Sequence, residues 1–214
     1  MSTTFSKPAG IPVLPPHADA EGDCVVRRLL SMQPWRAALP WPDGFSAGVA
    51  HRLDISTSGA LLVADDVEEL IHIRSAFQRK VLVKTYRLWS NRAVGWDDNT
   101  INNAIAHAPR RRKSRMVVQR GPNTDHRGQW YPAQTDFRRI NDRVWRATMR
   151  TGVMHQIRVH AAFIGIPLAG DSKYGGGERP PQAPSDASFL LHHVGLNGEG
   201  VRTEAVPLPD WAAP

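Results

Sequence analysis

His51-Arg52-Leu53-Asp54-Ile55-Ser56-Thr57-Ser58-Gly59 runs directly into Ala60-Leu61-Leu62-Val63-Ala64. The second stretch is short and wholly apolar, which suits a buried strand. The first combines an acid and a guanidinium with small hydroxyl residues closed by glycine, the composition of a turn. A carboxylate on a turn that feeds a buried strand sits on a rigid element, where a catalytic group is best placed. Alone, such an aspartate is more often a turn cap bonding the amides of residues 56–59. Arg52 shifts the balance. On a strand it would share the Asp54 face; on a tighter bend it would point to solvent or to a phosphate.

Reading outward, Asp65 is placed to cap a helix, with Glu68 three positions on completing a capping-box-like pair. Val67, Leu70, Ile71 and Phe77 recur at helical spacing, which predicts an amphipathic helix over 66–79. Residues 81–89 read as a strand whose alternation puts Lys84 and Tyr86 on one face. Residues 99–130 are less regular. Strands are predicted over 133–139 and 143–150, joined at Asn141-Asp142. Residues 154–164 read as a helix ended by Gly165 and Pro167. A last strand covers 188–196. On the N-terminal side, residues 7–14 could pair only as an edge strand because they hold two prolines. Residues 1–24 and 197–214 read as extended and proline-rich, and 31–48 as a surface loop. Irregular alternation of strands and helices favours the α+β class.

The chain has 214 residues, enough for one substantial core, and no fixed repeat. Lys and Arg number 27 against 20 Asp and Glu, a net charge of +7. The resulting isoelectric point near 10.2 makes a polyanion the first partner to consider. The lone cysteine, Cys24, excludes an internal disulfide and a cysteine zinc site. Residues 1–20 hold no apolar core of signal-peptide length, and no apolar run has membrane-spanning length. The expectation is a soluble, cytoplasmic protein.

A second informative stretch is Thr151-Gly152-Val153-Met154-His155-Gln156-Ile157-Arg158-Val159-His160. On a helix, Ile157, Ala161 and Ile164 would make the core face, with Arg158 to one side. Arg158 is then either a surface arginine or one that reaches an acid at the core edge and keeps it ionised. Tyr86 reads as a core aromatic or as a ring offered to a flat base. Lys84 on the same face suits a polar rim better than a dry core. The histidines show no metal-ligand spacing, and Gly175-Gly176-Gly177 lacks a Walker lysine, so neither a metal nor a nucleotide cofactor is expected. Arg110, Arg111, Arg112, Lys113 and Arg115 form a basic cluster suited to phosphates, giving affinity with little sequence choice.

Taken in order, these segments resemble the RluA-like family of pseudouridine synthases, over nearly the whole chain. Lys7-Pro8-Ala9-Gly10 is similar to its N-terminal motif. His51-Arg52-Leu53-Asp54 with Thr57-Ser58-Gly59 is similar to its catalytic motif. Lys84-Thr85-Tyr86 is similar to its tyrosine motif. Thr151-Gly152 with residues 155–160, then Gly165-Ile166-Pro167-Leu168-Ala169-Gly170-Asp171-Ser172-Lys173-Tyr174-Gly175, is similar to its arginine motif and extension. Val153-Met154 departs from the family's more polar pair, commonly Arg-Thr.

The resemblance implies a single catalytic domain over 1–214 with a mixed, mainly antiparallel sheet; as a further departure from the family, no separate N-terminal RNA-binding domain is expected. It implies isomerisation of uridine to pseudouridine in ribosomal or transfer RNA, with no metal or organic cofactor. By the same resemblance Asp54 is the essential carboxylate and Arg158 pairs with it. Tyr86 lies against the base, and Ile157 packs the pocket wall. Arg52 enters the space left by the flipped uridine, while Lys84 and the 110–115 cluster belong to the RNA-contacting set. A monomer is expected. Two other readings compete: an RNA-binding module without chemistry, and a base-releasing glycosylase that also uses an aspartate.

Overall fold

The computed structural model describes residues 2–15, 21–109 and 115–213. In chain order the elements are β1 (Thr3–Lys7), α1 (Val25–Met32), β2 (Ser58–Val63), α2 (Val67–Gln78), β3 (Val83–Trp89), β4 (Asp98–Ile101), β5 (Ile105–His107), β6 (Met116–Val118), β7 (Arg127–Tyr131), β8 (Thr135–Arg139), β9 (Val144–Met149), α3 (Gln156–Phe163), β10 (Leu191–Gly198) and β11 (Val201–Arg202). Short 3-10 turns lie at Pro34–Ala38, Ser46–Gly48 and Asp210–Ala212. The fold is α+β with strands of mixed direction, as expected. The described residues fall into two compact units: one runs to Lys84 and takes in 184–188 and 192–209, the other holds the rest.

In the first unit β1 runs antiparallel to β2, with Thr3 opposite Val63 and Lys7 opposite Gly59. The strand expected over 7–14 therefore ends where it was to begin. Pro8 and Pro12 have no N–H for a ladder, so pairing stops at Lys7. On its other side β2 lies parallel to β10 at Ser58 and Gly59, and β11 folds back on β10. Ala60, Leu61, Leu62 and Val63 are wholly buried, as their composition demands. Helix α2 packs Leu70, Ile73 and Ala76 against Leu62, Leu82 and Leu196. Ile71, expected on that stripe, is 58% exposed.

The cap of α2 sits one residue later than expected. Asp66 accepts from Glu69 N–H at 2.7 Å, while the Glu69 carboxylate accepts from Asp65 N–H at 2.8 Å. Asp65 is occupied elsewhere, by Arg36 at 2.7 Å and Thr3 at 3.0 Å. Arg36 is fully buried and also donates to the carbonyls of Ala47 and Ala64. It nails the 34–48 segment, expected as a plain surface loop, to the end of β2. Helix α1, which the sequence reading does not anticipate, buries Val25, Val26 and Leu29.

In the second unit β8 pairs antiparallel with β9 and β4, and β3 lies beside β9. The turn at Asn141 is as expected: its side-chain oxygen accepts from Arg143 N–H at 3.0 Å and Val144 N–H at 2.8 Å. The irregular 99–130 region contains a separate sheet in the order β6-β5-β7. Helix α3 starts two residues later than expected, because His155 adopts a left-handed φ of +57°. Residues 156–161 are all buried, so α3 has no solvent stripe over that span. The C-terminal tail is less extended than expected: β10 reaches Gly198, β11 follows, and the turn at Asp210–Ala212 buries Trp211. Among the described residues no helix is long and apolar enough to cross a membrane.

Candidate active site

Residues 51–57 leave the sheet before β2 begins, so the strand geometry that would align Arg52 with Asp54 does not apply. Thr57 N–H closes a turn on Asp54 C=O at 3.0 Å. Leu53 is buried beneath the turn, Asp54 is half-buried, and Arg52 and Ile55 are exposed. The acid is reachable and its neighbour guanidinium projects into solvent.

Lys7 holds this turn from below. It is 1% exposed, and its ammonium donates to the carbonyls of Ile55 at 3.0 Å, Thr57 at 2.7 Å and its own neighbour Pro8 at 2.9 Å. All three N–H donors are thereby used. Burial lowers the Lys7 pKa to about 8, and attraction to Asp54 acts in the opposite sense. Gly10 N–H adds a bond to Ile55 C=O at 2.9 Å, and Ser56 Oγ meets Ser188 Oγ at 2.6 Å. Gly59 has φ +117°, and a Cβ there would lie 2.1 Å from the His193 carbonyl oxygen, so only glycine lets β2 approach β10.

In the second unit Arg158 is 7% exposed, which rules out the surface-arginine reading. Its partner there is Asp171, itself 2% exposed: Nε meets one carboxylate oxygen at 2.6 Å and Nη2 the other at 2.9 Å. This bidentate geometry fixes the plane of the guanidinium. Phe189 and Tyr174 flank it, with Cζ 4.2 Å and 5.2 Å from their ring centroids. Tyr174 Oη accepts from Met116 N–H at 2.9 Å and meets His155 Nδ1 at 2.9 Å. Burial pushes the Tyr174 pKa up to about 12, so it stays a neutral phenol. A Cβ on Gly176 would lie 1.7 Å from the Leu168 carbonyl oxygen, and Gly176 N–H bonds Asp171 C=O at 2.9 Å. The middle glycine of the 175–177 run thus closes the turn that presents Asp171.

Gln156 explains the start of α3. Its Oε1 accepts from Thr151 Oγ1 at 2.9 Å and Val153 N–H at 3.1 Å, and its Nε2 donates to Gln134 C=O and Thr135 Oγ1. Val153 and Met154, the departure from the family pair, lie in this turn, where Val153 contributes its main chain.

Of the other expected residues, Ile157 and Tyr86 are buried at 3% and 6% exposure. Lys84 shares the buried face of β3 with Tyr86, as alternation predicts. It is not at a polar rim: it is 7% exposed, its ammonium lies 5.9 Å from the Phe77 ring centroid, and burial lowers its pKa to about 8. Arg110, Arg111, Arg112 and Lys113 lie outside the described residues. Arg115 closes the β5–β6 hairpin through its carbonyl, which accepts from Ala108 N–H at 2.9 Å. Sequence reasoning leaves Lys7, Asp171, Tyr174 and Phe189 without roles, although the first three stand inside the motifs it quotes. Among the described residues no three His, Cys, Asp or Glu side chains gather as metal ligands.

Residues 3–163 match the RNA pseudouridylate synthase family. The chain belongs to that family. Its RluA-like branch is supported by similarity to ribosomal large subunit pseudouridine synthase D of Haemophilus ducreyi, 32% identical over 188 residues, covering 87% of this chain and 54% of that protein. The Escherichia coli K12 protein of the same name is 33% identical over 190 residues, covering 86% of this chain and 52% of its own. The chain therefore spans about half the length of the curated relatives it matches. Among solved structures, human RNA pseudouridylate synthase domain containing 4 superposes with a TM-score of 0.69 at 21% identity, covering 99% of this chain and 87% of that one. Human RNA pseudouridylate synthase domain containing 1 gives 0.66 at 22%, covering 97% and 84%. These two likenesses carry the fold. In this chain the His51–Gly59 segment holds a half-buried acid on a clamped turn.

Proposed function

We propose that this chain isomerises uridine to pseudouridine in structured RNA, ribosomal or transfer, as one catalytic domain acting in the cytoplasm as a monomer without a cofactor. The observation that carries the reading is Asp54: a half-buried carboxylate on a turn held by the fully engaged Lys7, in a family match spanning residues 3–163. The name of the matched relatives favours large-subunit ribosomal RNA over transfer RNA.

In this reading Asp54 supplies the essential carboxylate while the bond from ribose to the base nitrogen breaks, the uracil turns and a carbon–carbon bond forms. Uracil departs as a stabilised anion, so no second carboxylic acid is required of the kind glycoside hydrolysis uses. Arg158 is the arginine of the family-like motif, its guanidinium held in one plane by Asp171. Tyr86 lies against the base, and Ile157 forms wall. Arg52, exposed beside the acid, enters the space that the flipped uridine leaves. Flipping costs a few kcal/mol of unstacking, least in loops and bulges, which favours such sites.

The decisive test is Asp54→Asn assayed by pseudouridine mapping on ribosomal and transfer RNA transcripts. Product is expected to fall by about a thousandfold or more while RNA affinity stays within about threefold. Retained turnover would refute the role of Asp54. Binding without product from the unaltered chain would favour the RNA-binding module, and free uracil with abasic RNA the glycosylase.

A further inference from the structure

Strand β2 changes neighbours along one edge. At Ser58 and Gly59 it lies parallel to His192 and His193 of β10. Further on, Val63 bridges antiparallel to Val49, with Ala50 N–H donating to Leu62 C=O at 3.0 Å and Ala64 N–H to Gly48 C=O at 2.8 Å. A regular antiparallel ladder would return a bond from Leu62 N–H to Ala50 C=O. Leu62 N–H donates instead to Nε2 of His51 at 3.1 Å. The carbonyl of Ala60, two residues back along β2, meets Nδ1 of His193 at 2.5 Å. Two imidazoles thus serve main-chain groups of β2 across the stretch where its neighbour changes.

The protonation of both rings follows from their partners. An amide only donates, so Nε2 of His51 carries a lone pair. A carbonyl only accepts, so Nδ1 of His193 carries a hydrogen. The rings meet edge to face with centroids 5.4 Å apart, and His51 lies 5.5 Å from the Phe77 ring centroid. His51 is also hydrogen-bonded to the main chain of Arg52.

We infer that His51, backed by His193, is the positioning residue of the Asp54 turn: its ring takes the place of a ladder carbonyl on β2 and so fixes where the chain leaves the sheet for Arg52, Leu53 and Asp54. A carbonyl in that place would carry the chain onward along β2. The imidazole satisfies Leu62 N–H while the main chain turns away. The titratable groups facing His51 are His193 from β10 and Lys84 from β3. Both oppose a proton on it, and with burial they hold its pKa well below the ordinary histidine value. The acceptor lone pair therefore persists through neutral pH.

The tautomer part of this inference stands on geometry alone, and the effect on turnover rests on the uridine-isomerase reading. The test uses the full chain, by nitrogen-15 NMR from about pH 8 to about pH 5.5, with His51→Phe and His51→Gln beside it. The unaltered chain is expected to show an unprotonated Nε2 on His51 throughout and a protected Leu62 amide. His51→Phe keeps a ring against His193 and Phe77 without the acceptor, so exchange at the Leu62 amide should rise about tenfold. Pseudouridine formation should then fall about tenfold in kcat with KM changed less than about threefold, and His51→Gln, which restores an acceptor, should recover part of it. A protonated Nε2 at neutral pH, or His51→Phe with unaltered Leu62 exchange, would overturn the inference whether or not the chain has activity. An unaltered kcat in His51→Phe would overturn its functional half. No product from the unaltered chain, with the NMR signature present, would locate the failure in the proposed function.

Discussion

The two units bury a cation in opposite ways. Beneath the Asp54 turn, Lys7 is surrounded by neutral carbonyls, and its counter-charge, Asp54, is half-buried. In the second unit, Arg158 is matched by a full carboxylate, Asp171, and sandwiched by Phe189 and Tyr174. The first arrangement anchors a turn that carries a half-buried acid. The second immobilises a guanidinium by neutralising it locally. A buried guanidinium matched by a carboxylate pairs two charges, whereas a buried ammonium served by carbonyls fixes main-chain groups of the turn instead.

Acid should separate the units most strongly. Burial lowers the pKa of His192 and His193 in the first unit, and of His160 in the second, to about 4, and holds His51 in the first well below its ordinary value. Each folded pKa lies below the unfolded one, so the unfolded chain binds more protons in that window. Stability is then intact above about pH 6.5 and is lost as pH falls toward about 4. With three of these four histidines, the first unit should lose amide-exchange protection at higher pH than the second. Equal loss in both would show that the histidines do not govern acid stability.

Asp171→Asn removes the carboxylate that binds Arg158 bidentately, and breaking such a buried pair costs about 3–5 kcal/mol, measurable by urea unfolding. A cost below about 1 kcal/mol would mean that another acceptor carries the charge balance of Arg158. Lys7→Met empties three carbonyl bonds but also removes a poorly solvated ammonium, so its cost should be smaller, about 2 kcal/mol. Its local signature is faster exchange of the Thr57 and Gly10 amides. If Lys7→Met costs more than Asp171→Asn, the contrast between the two cations is wrong. Asp66→Ala removes only the cap of α2 and should cost about 1 kcal/mol by thermal unfolding, with no effect on the Asp54 turn.

Much of the fold was legible because its period was strong. Strand β2, the alternation of Lys84 and Tyr86, the Asn141 turn and helices α2 and α3 all follow from local pattern. Helix α1 did not, since its buried Val25 and Val26 are parted from Leu29 by exposed Arg27 and Arg28, too brief a stripe to separate from a loop. The small β6-β5-β7 sheet escaped because β5 and β6 have three residues each, shorter than any readable period. Asp65 was a sound cap by spacing and lost that role because Arg36, far back in the chain, claimed its carboxylate.

The sequence by itself determined which residues could carry chemistry: Asp54, Arg52, Tyr86 and Arg158 are marked by residue type, order and the company they keep. Tertiary structure alone decided how they are held. That Lys7 closes on Ile55 and Thr57, that Asp171 locks Arg158, and that His51 and His193 each meet a main-chain group of β2 are all decided by how separate segments pack. Local pattern reports the period and charge of one segment, and a hydrogen bond between two segments exists only once packing has brought both to the same place.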